Sequence, residues 1–212
     1  EGKIPLALDE QSLFDKIVTR RRGGICYEQN LLFAAVLREI GFGVELYGGR
    51  HPKYGDDMDH VFLVVDVPGE IGRHLADVGF ATNFAAPLKY TVGVLQDDGR
   101  DRYMLGNVQI DGERFLRLWR FDGLEGDVEP VEMFTFKPQA REPEDCRVRC
   151  DWYSTAPESR FTQGPLVSID AADGRRTLSA NHFITTVDGV RTSVDIESAE
   201  QYERYLKEEF DL

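Results

Sequence analysis

Lysine is scarce in this chain. It supplies six of the 25 basic residues, against 38 acidic ones, and the formal net charge is −13. That balance offers no global attraction to nucleic acid or anionic lipid, so neither is an expected partner. Long hydrophobic runs are also absent. None approaches the ~20 apolar residues that span a bilayer. No basic segment followed by an apolar one opens the chain, so no signal peptide is expected. Cysteine is limited to Cys26, Cys146 and Cys150. An odd count without a leader argues against a disulfide framework and for a reducing, cytoplasmic setting. Cys146 and Cys150 form a C-x3-C pair, but His182 is the one histidine beyond them. A metal site needs more ligands than that, so no metal is expected, and the two thiols read as side chains near a strand.

What is present suits a globular protein. The 212 residues can bury a sizeable core in one large domain or two to three lobes. Residues 9–21, "DEQSLFDKIVTRR", pattern as a helix: Leu13 and Ile17 share a face with Phe14 and Val18, and Ser12 and Asp15 have capping-box spacing. Gly23 and Gly24 break it. A second helix is expected over residues 26–40, with Leu32, Val36 and Ile40 on one face and Gly41 and Gly43 at its end. The period then changes. "VELYGGR", "HVFLVVDV", "RYMLGNVQI", "ERFLRLWRF" and "VEMFTF" read as strands, separated by turns such as "DDGRD" and "DGLEGD". In "ERFLRLWRF", Phe115, Trp119 and Phe121 are expected on one face. Many such strands suggest a barrel or a strongly bent antiparallel sheet. "KPQAREPED", residues 137–145, is the best linker candidate. Beyond it, "RTLSANHFITTV" and "VRTSVDI" look like strands. "SAEQYERYLKEEF" looks like an amphipathic helix with Tyr202, Leu206 and Phe210 on one face and Ser198 as its N-cap.

"RRRGGICYEQN", residues 20–30, is the first candidate for chemistry. Cys26 stands at the expected start of a helix, where unpaired N–H groups and the positive dipole end stabilise a thiolate. A phosphate-holding loop and a plain buried helix cysteine are the rival readings. His60 opens the strand "HVFLVVDV", with Phe62 and Val64 on its face and Val61, Leu63 and Val65 on the other. Asp77, between Ala76 and Val78, is a candidate buried carboxylate, or else a turn cap before Gly79. A thiol nucleophile needs a base, and the base needs a group that fixes its tautomer. Cys26, His60 and Asp77 supply those roles in an order also found in papain-like and transglutaminase-like enzymes. The residues alone give a cysteine-nucleophile enzyme and no substrate.

At this point the chain resembles the arylamine N-acetyltransferases over nearly its whole length. "RRGGICYEQN" is similar to that family's R-G-G-x-C-x-E-x-N box, "DHVFLVV" to the box around its base, and "ADVGF" to the box around its acid. The resemblance implies an α+β fold with a cysteine-protease-like catalytic core. Residues 1–42 would form a shortened helical lobe carrying the nucleophile, residues 43–140 a central antiparallel β-barrel carrying base and acid, and residues 141–212 an α/β lid. It implies acetyl-CoA as acyl donor, an arylamine or arylhydrazine as acceptor, and a ping-pong route through an acetyl-cysteine. Cys26, His60 and Asp77 would be nucleophile, base and orienting acid. Arg22, Gly23, Gly24 and Glu28 would support the first box, and Phe80 would face the acceptor. Arg147, Arg149, Arg175 and Arg176 are candidates for the CoA phosphates. The chain departs from the family pattern at Ala81, where a glycine is usual, and at its opening, where Ile4-Pro5 is a faint echo of an I-P-F-E-N-like element. A same-fold amide synthase, a thiol hydrolase and a non-catalytic binding module are the alternatives, and a homo-oligomer is left open.

Overall fold

The computed structural model describes residues 5–80, 84–171, 173–187 and 190–212. Ile4 and Ala81 lie outside the described residues. Helix α1 (Glu10–Phe14) is capped by Asp9, whose side chain accepts from the Ser12 N–H at 3.0 Å. The expected Ser12–Asp15 box does not form, because Ser12 already lies inside the first turn. The helix widens into a π-helical turn (Asp15–Thr19), and Arg21 then takes a left-handed φ of 52°. Helix α2 (Cys26–Glu39) follows.

The face that α2 buries is not the one expected. Tyr27, Leu31 and Ala34 pack into the core, whereas Val36 is 50% and Ile40 65% exposed. The helix is apolar on several sides, and its polar residues Glu28 and Asn30 are buried with the Tyr27 face because they have partners there.

The chain then enters two antiparallel sheets. Strands β1 (Gly43–Gly49), β2 (His60–Asp66), β3 (Arg73–Ala76), β4 (Leu88–Lys89) and β9 (Ala140–Arg141) form the first, in the order β4-β3-β2-β1-β9. Strands β5 (Leu95–Asp97), β6 (Arg102–Ile110), β7 (Glu113–Phe121) and β8 (Val131–Phe136) form the second, in sequence order. Where the strand pattern suggested a barrel or a strongly bent sheet, the structure has these two antiparallel sheets, linked near both of their edges. At one edge Arg50 and Thr135 exchange backbone hydrogen bonds of 2.7 and 3.1 Å. At the other the Gln96 amide stands in for a paired strand. It accepts from the Lys89 N–H at 2.7 Å and donates to the Lys89 carbonyl at 2.8 Å.

Strand β2 has no solvent face. Val61, Leu63 and Val65 pack with α2, while Phe62 and Val64 join Tyr47, Leu75, Phe134 and Phe136 between the sheets, following the alternation read from the sequence. Strand β7 pairs with β6 without a break from Glu113 to Phe121, so Phe115, Trp119 and Phe121 keep one face as expected, and the register shift opposite Leu118 and Trp119 falls in β8, where Met133 is passed over. The buried set is Phe115, Leu116 and Leu118.

The proposed linker is not free chain: β9 pairs with the edge of β1, and a 3-10 turn (Pro143–Cys146) leads into helix α3 (Arg147–Thr155). Cys146 and Cys150 therefore lie on a helical segment rather than near a strand, and both are buried with Tyr153 in the α2 core. A last sheet, β10 (Leu166–Ala171), β11 (Gly174–Ser179), β12 (His182–Val187) and β13 (Val190–Asp195), packs under α4 (Ala199–Phe210). A turn splits "RTLSANHFITTV" into β11 and β12. Ser198 caps α4 as expected, accepting from the Gln201 N–H at 3.2 Å. Among the described residues no helix is long and apolar enough to cross a membrane.

The orientation of α2 has a direct check. Leu31→Ala should cost about 2–5 kcal/mol, as buried leucine truncations do. Val36→Ala should stay within about 0.5 kcal/mol. Urea unfolding of the two variants measures both, and the reverse order would mean the other face is packed.

Candidate active site

The turn before α2 delivers Cys26 as the first helical residue, and its hydrogen bonds explain how. Glu28 is buried. Its Oε2 accepts from the Ile25 N–H at 3.1 Å, and its Oε1 meets Lys16 Nζ at 2.6 Å. Gln29 donates to the Gly24 carbonyl at 2.6 Å. A Cβ on Gly24 would stand 3.0 Å from Glu28 Cβ, so this glycine is tightly packed, while one on Gly23 would meet nothing within 4 Å. Arg22 is exposed, and the cation on Glu28 is Lys16 from the π-helical turn. Sequence reading missed Lys16, because twelve residues separate the partners and no local spacing joins them.

His60, the first residue of β2, sits across from the thiol. Its Nε2 lies 2.6 Å from Asp77 Oδ2, which leaves Nδ1 as the ring nitrogen that Asp77 does not engage, and the charge of Cys26 also acts on the ring. The His60 and Asp77 side chains are 3% and 0% exposed. Burial pushes the imidazole's pKa down, but the charges of Asp77 and Cys26 outweigh it, and the value is raised to about 10. Burial likewise pushes Asp77 up. The His60 charge, with hydrogen bonds from Asn30 and Gly79, reverses that and holds the carboxyl below its usual range.

Asn30 ties these pieces together. Its amide donates to Asp77 Oδ1 at 2.9 Å and to the Val61 carbonyl at 2.7 Å, and its oxygen accepts from the Val78 N–H at 3.1 Å. It closes the "CYEQN" box, so the signal for it was in the sequence. Gly79 was not singled out either. A Cβ there would lie 2.5 Å from Cys26 Cα and 2.7 Å from Asn30 Nδ2, so the acid-bearing turn can approach the nucleophile only without a side chain.

The site is walled by aromatic rings. Phe80 stands edge-on to His60 with centroids 4.8 Å apart, and His51 stacks on Phe80 at 6.2 Å and 23°. Burial holds the His51 pKa below its usual value, and its Nδ1 accepts from the Lys53 N–H at 3.1 Å. Burial pushes the Cys146 and Cys150 thiols up to about 12, which makes them inert core groups. The four arginines suggested for phosphate all have partners already. Arg147 donates to the Leu6 carbonyl, Arg149 binds Asp59, Arg175 binds Asp170, and Arg176 binds Asp173 and Glu209.

A family model described as N-acetyltransferase matches residues 2–212. The arylamine N-acetyltransferase of Mycolicibacterium smegmatis is 34% identical over 206 residues, 93% of this chain and 72% of the relative. The Salmonella typhimurium arylamine N-acetyltransferase / N-hydroxyarylamine O-acetyltransferase is 32% identical over 187 residues, 84% of this chain and 62% of its own. Among solved structures, Mycobacterium marinum arylamine N-acetyltransferase in complex with CoA superposes with a TM-score of 0.86 at 30% identity. That match covers 98% of this chain and 77% of the other. The M. smegmatis structure gives 0.87 at 32%, covering 99% and 76%. This chain thus spans roughly three quarters of the length of these structural relatives.

Two outcomes follow from the geometry. Gly79→Ala should displace Cys26 and slow its alkylation by iodoacetamide on the order of 10²-fold, the cost of about an ångström of misplacement. Gly23→Ala should leave the rate within about twofold, and equal rates for the two would contradict the close approach. The second outcome concerns pH. A histidine raised from about 6.5 unfolded to about 10 folded contributes stability that is complete below the lower value and lost as pH rises through the upper. Asp77→Asn removes the largest raising cause and leaves burial, so the variant should lose less stability than the wild type between pH 7 and pH 10. Urea midpoints measured across that window give the comparison, and parallel curves would refute it.

Proposed function

From the premise that this chain belongs to the arylamine N-acetyltransferase family, we propose that it transfers an acetyl group from acetyl-CoA to an arylamine or arylhydrazine through Cys26. One observation carries the reading. A thiol at a helix N-terminus stands near enough to a buried histidine for its charge to act on the imidazole, and Nε2 of that histidine lies 2.6 Å from a buried carboxylate. That is the nucleophile–base–orienter arrangement of acyl transfer.

The route has two steps. The Cys26 thiolate attacks the thioester carbonyl carbon of acetyl-CoA. The first N–H groups of α2, which have no intrahelical acceptor, are placed to receive the developing oxyanion. The bond to the CoA sulfur then breaks, the departing thiolate takes the His60 proton, and an acetyl-cysteine remains. The amine attacks that carbonyl, passes its proton to His60, and Cys26 leaves as thiolate. Asp77 keeps Nε2 engaged throughout, so Nδ1 handles every proton. Asn30 holds Asp77, Lys16 and Glu28 hold the turn, and the Phe80 ring beside His60 offers an aromatic acceptor a flat wall. In this reading residues 1–42 carry the nucleophile, residues 43–140 form a barrel with base and acid, and residues 141–212 form a lid anchored by α3 in the first core. The three cysteines are unpaired, which suits a cytoplasmic setting.

Incubation with acetyl-CoA and no amine, followed by intact mass measurement, tests the proposal. The wild type should gain one acetyl group and lose it when an arylamine is added. Cys26→Ala should gain none. A folded wild type that stays unmodified would sink the reading.

A further inference from the structure

The loop ahead of β2 holds a second buried carboxylate that the proposed chemistry does not use. Asp59 directly precedes His60, and its side chain has no exposure. Its Oδ1 accepts from Arg149 Nε at 2.8 Å and also from Nη2, and lies 3.4 Å from the Tyr153 hydroxyl. Its Oδ2 accepts from the backbone N–H groups of Asp56 at 2.8 Å and His51 at 3.2 Å. Arg149 comes from α3. Its guanidinium stands 4.1 Å from the Trp152 ring centroid, 5.0 Å from Tyr153 and 5.7 Å from Tyr54. An arginine stacked on that many rings, with its fork spent on one carboxylate, has little freedom left.

Such a pair is a poor device for stability alone. Desolvation offsets much of the attraction, and well-packed apolar residues often hold two elements together as well or better. What the pair adds is one fixed geometry, and it adds it beside the base. The backbone around His60 is held at three successive places. The Tyr27 hydroxyl donates to the Met58 carbonyl at 2.5 Å, Arg149 binds Asp59, and Asn30 donates to the Val61 carbonyl at 2.7 Å. The first and third grips come from α2, the helix of Cys26. The second comes from α3.

We propose that Arg149 is a positioning residue for the base: acting through Asp59, it sets where His60 stands against Cys26. Through the other oxygen of Asp59 it also holds the backbone of His51, which stacks on Phe80. This inference rests on the reading of Cys26 and His60 as nucleophile and base.

The test uses Arg149→Met, the double variant Asp59→Asn/Arg149→Met, and two measurements. One is alkylation of Cys26 by iodoacetamide at pH 7, located by peptide mass, which requires no acetyl-CoA. The other is acetyl transfer to an arylamine, resolved into kcat and KM. Arg149→Met strands a carboxylate beside the base, so alkylation should slow about tenfold to a hundredfold and kcat should fall with it. KM for the amine should move less than about twofold. The double variant removes the stranded charge and should recover part of both rates. A folded Arg149→Met whose Cys26 alkylates at the wild-type rate overturns the proposal, whatever its melting temperature. If that variant does not fold, Arg149→Lys decides: it keeps the charge and gives up the fork, and an unchanged alkylation rate there overturns the proposal equally. A wild type that is never acetylated would count against the transferase reading, and the alkylation rates would still judge Arg149.

Discussion

A buried carboxylate has to be answered on every side, and the surroundings of Asp77 are arranged around that requirement. One oxygen meets the His60 ring at 2.6 Å, and the other takes the Asn30 amide and the Gly79 N–H, both at 2.9 Å. Those partners come from β2, α2 and the turn after β3, so satisfying one charge draws three separate segments to one point. The thiol is caught in the same convergence, since Cys26 and Asn30 share the first turns of α2. Without the carboxylate, burial would drive His60 toward its neutral form, and Asn30 would lose its reason to be inside. Architecture and chemistry have the same origin here.

Much of this was legible in the sequence, and the misses have physical causes. Alternation placed His60, Phe62 and Val64 opposite Val61, Leu63 and Val65, because a strand's side chains have a fixed period of two. Strands β1, β6, β7 and β8 were readable for the same reason, while β3, β4 and β5, of four, two and three residues, are too short to show a period. The packed face of α2 was not. Leu32, Val36 and Ile40 make as good a stripe as Tyr27, Leu31 and Ala34, and what decides between them is that Glu28 and Asn30 find partners only on one side. Helix α3 was hidden by its charged residues and by the prolines ahead of it.

Within the site, Cys26, His60 and Asp77 were recoverable as residue types with complementary needs. Lys16, Arg149 and Gly79 were not, for two different reasons. A salt bridge between residues 16 and 28 or 59 and 149 has no sequence spacing to betray it. A glycine needed for close approach looks like any turn glycine until the approaching atoms, Cys26 Cα and Asn30 Nδ2, are known. The arginines considered for phosphate show the reverse error. Charge could be counted from the sequence, but its neutralisation by Asp59, Asp170, Asp173 and Glu209 could not.

Strand β2 is apolar on both faces, and this leaves the folding chain with an ambiguity. In a half-buried strand a slip of one residue turns oily side chains to water and is rejected at once. Here a slip would exchange one apolar face for another, putting His60 on the helix side with little hydrophobic penalty. Burial therefore supplies little proofreading at the one strand where alignment matters most. The error is detected instead by polar atoms: a shifted Met58 carbonyl misses Tyr27, a shifted Val61 carbonyl misses Asn30, and a shifted Asp59 is buried without its arginine.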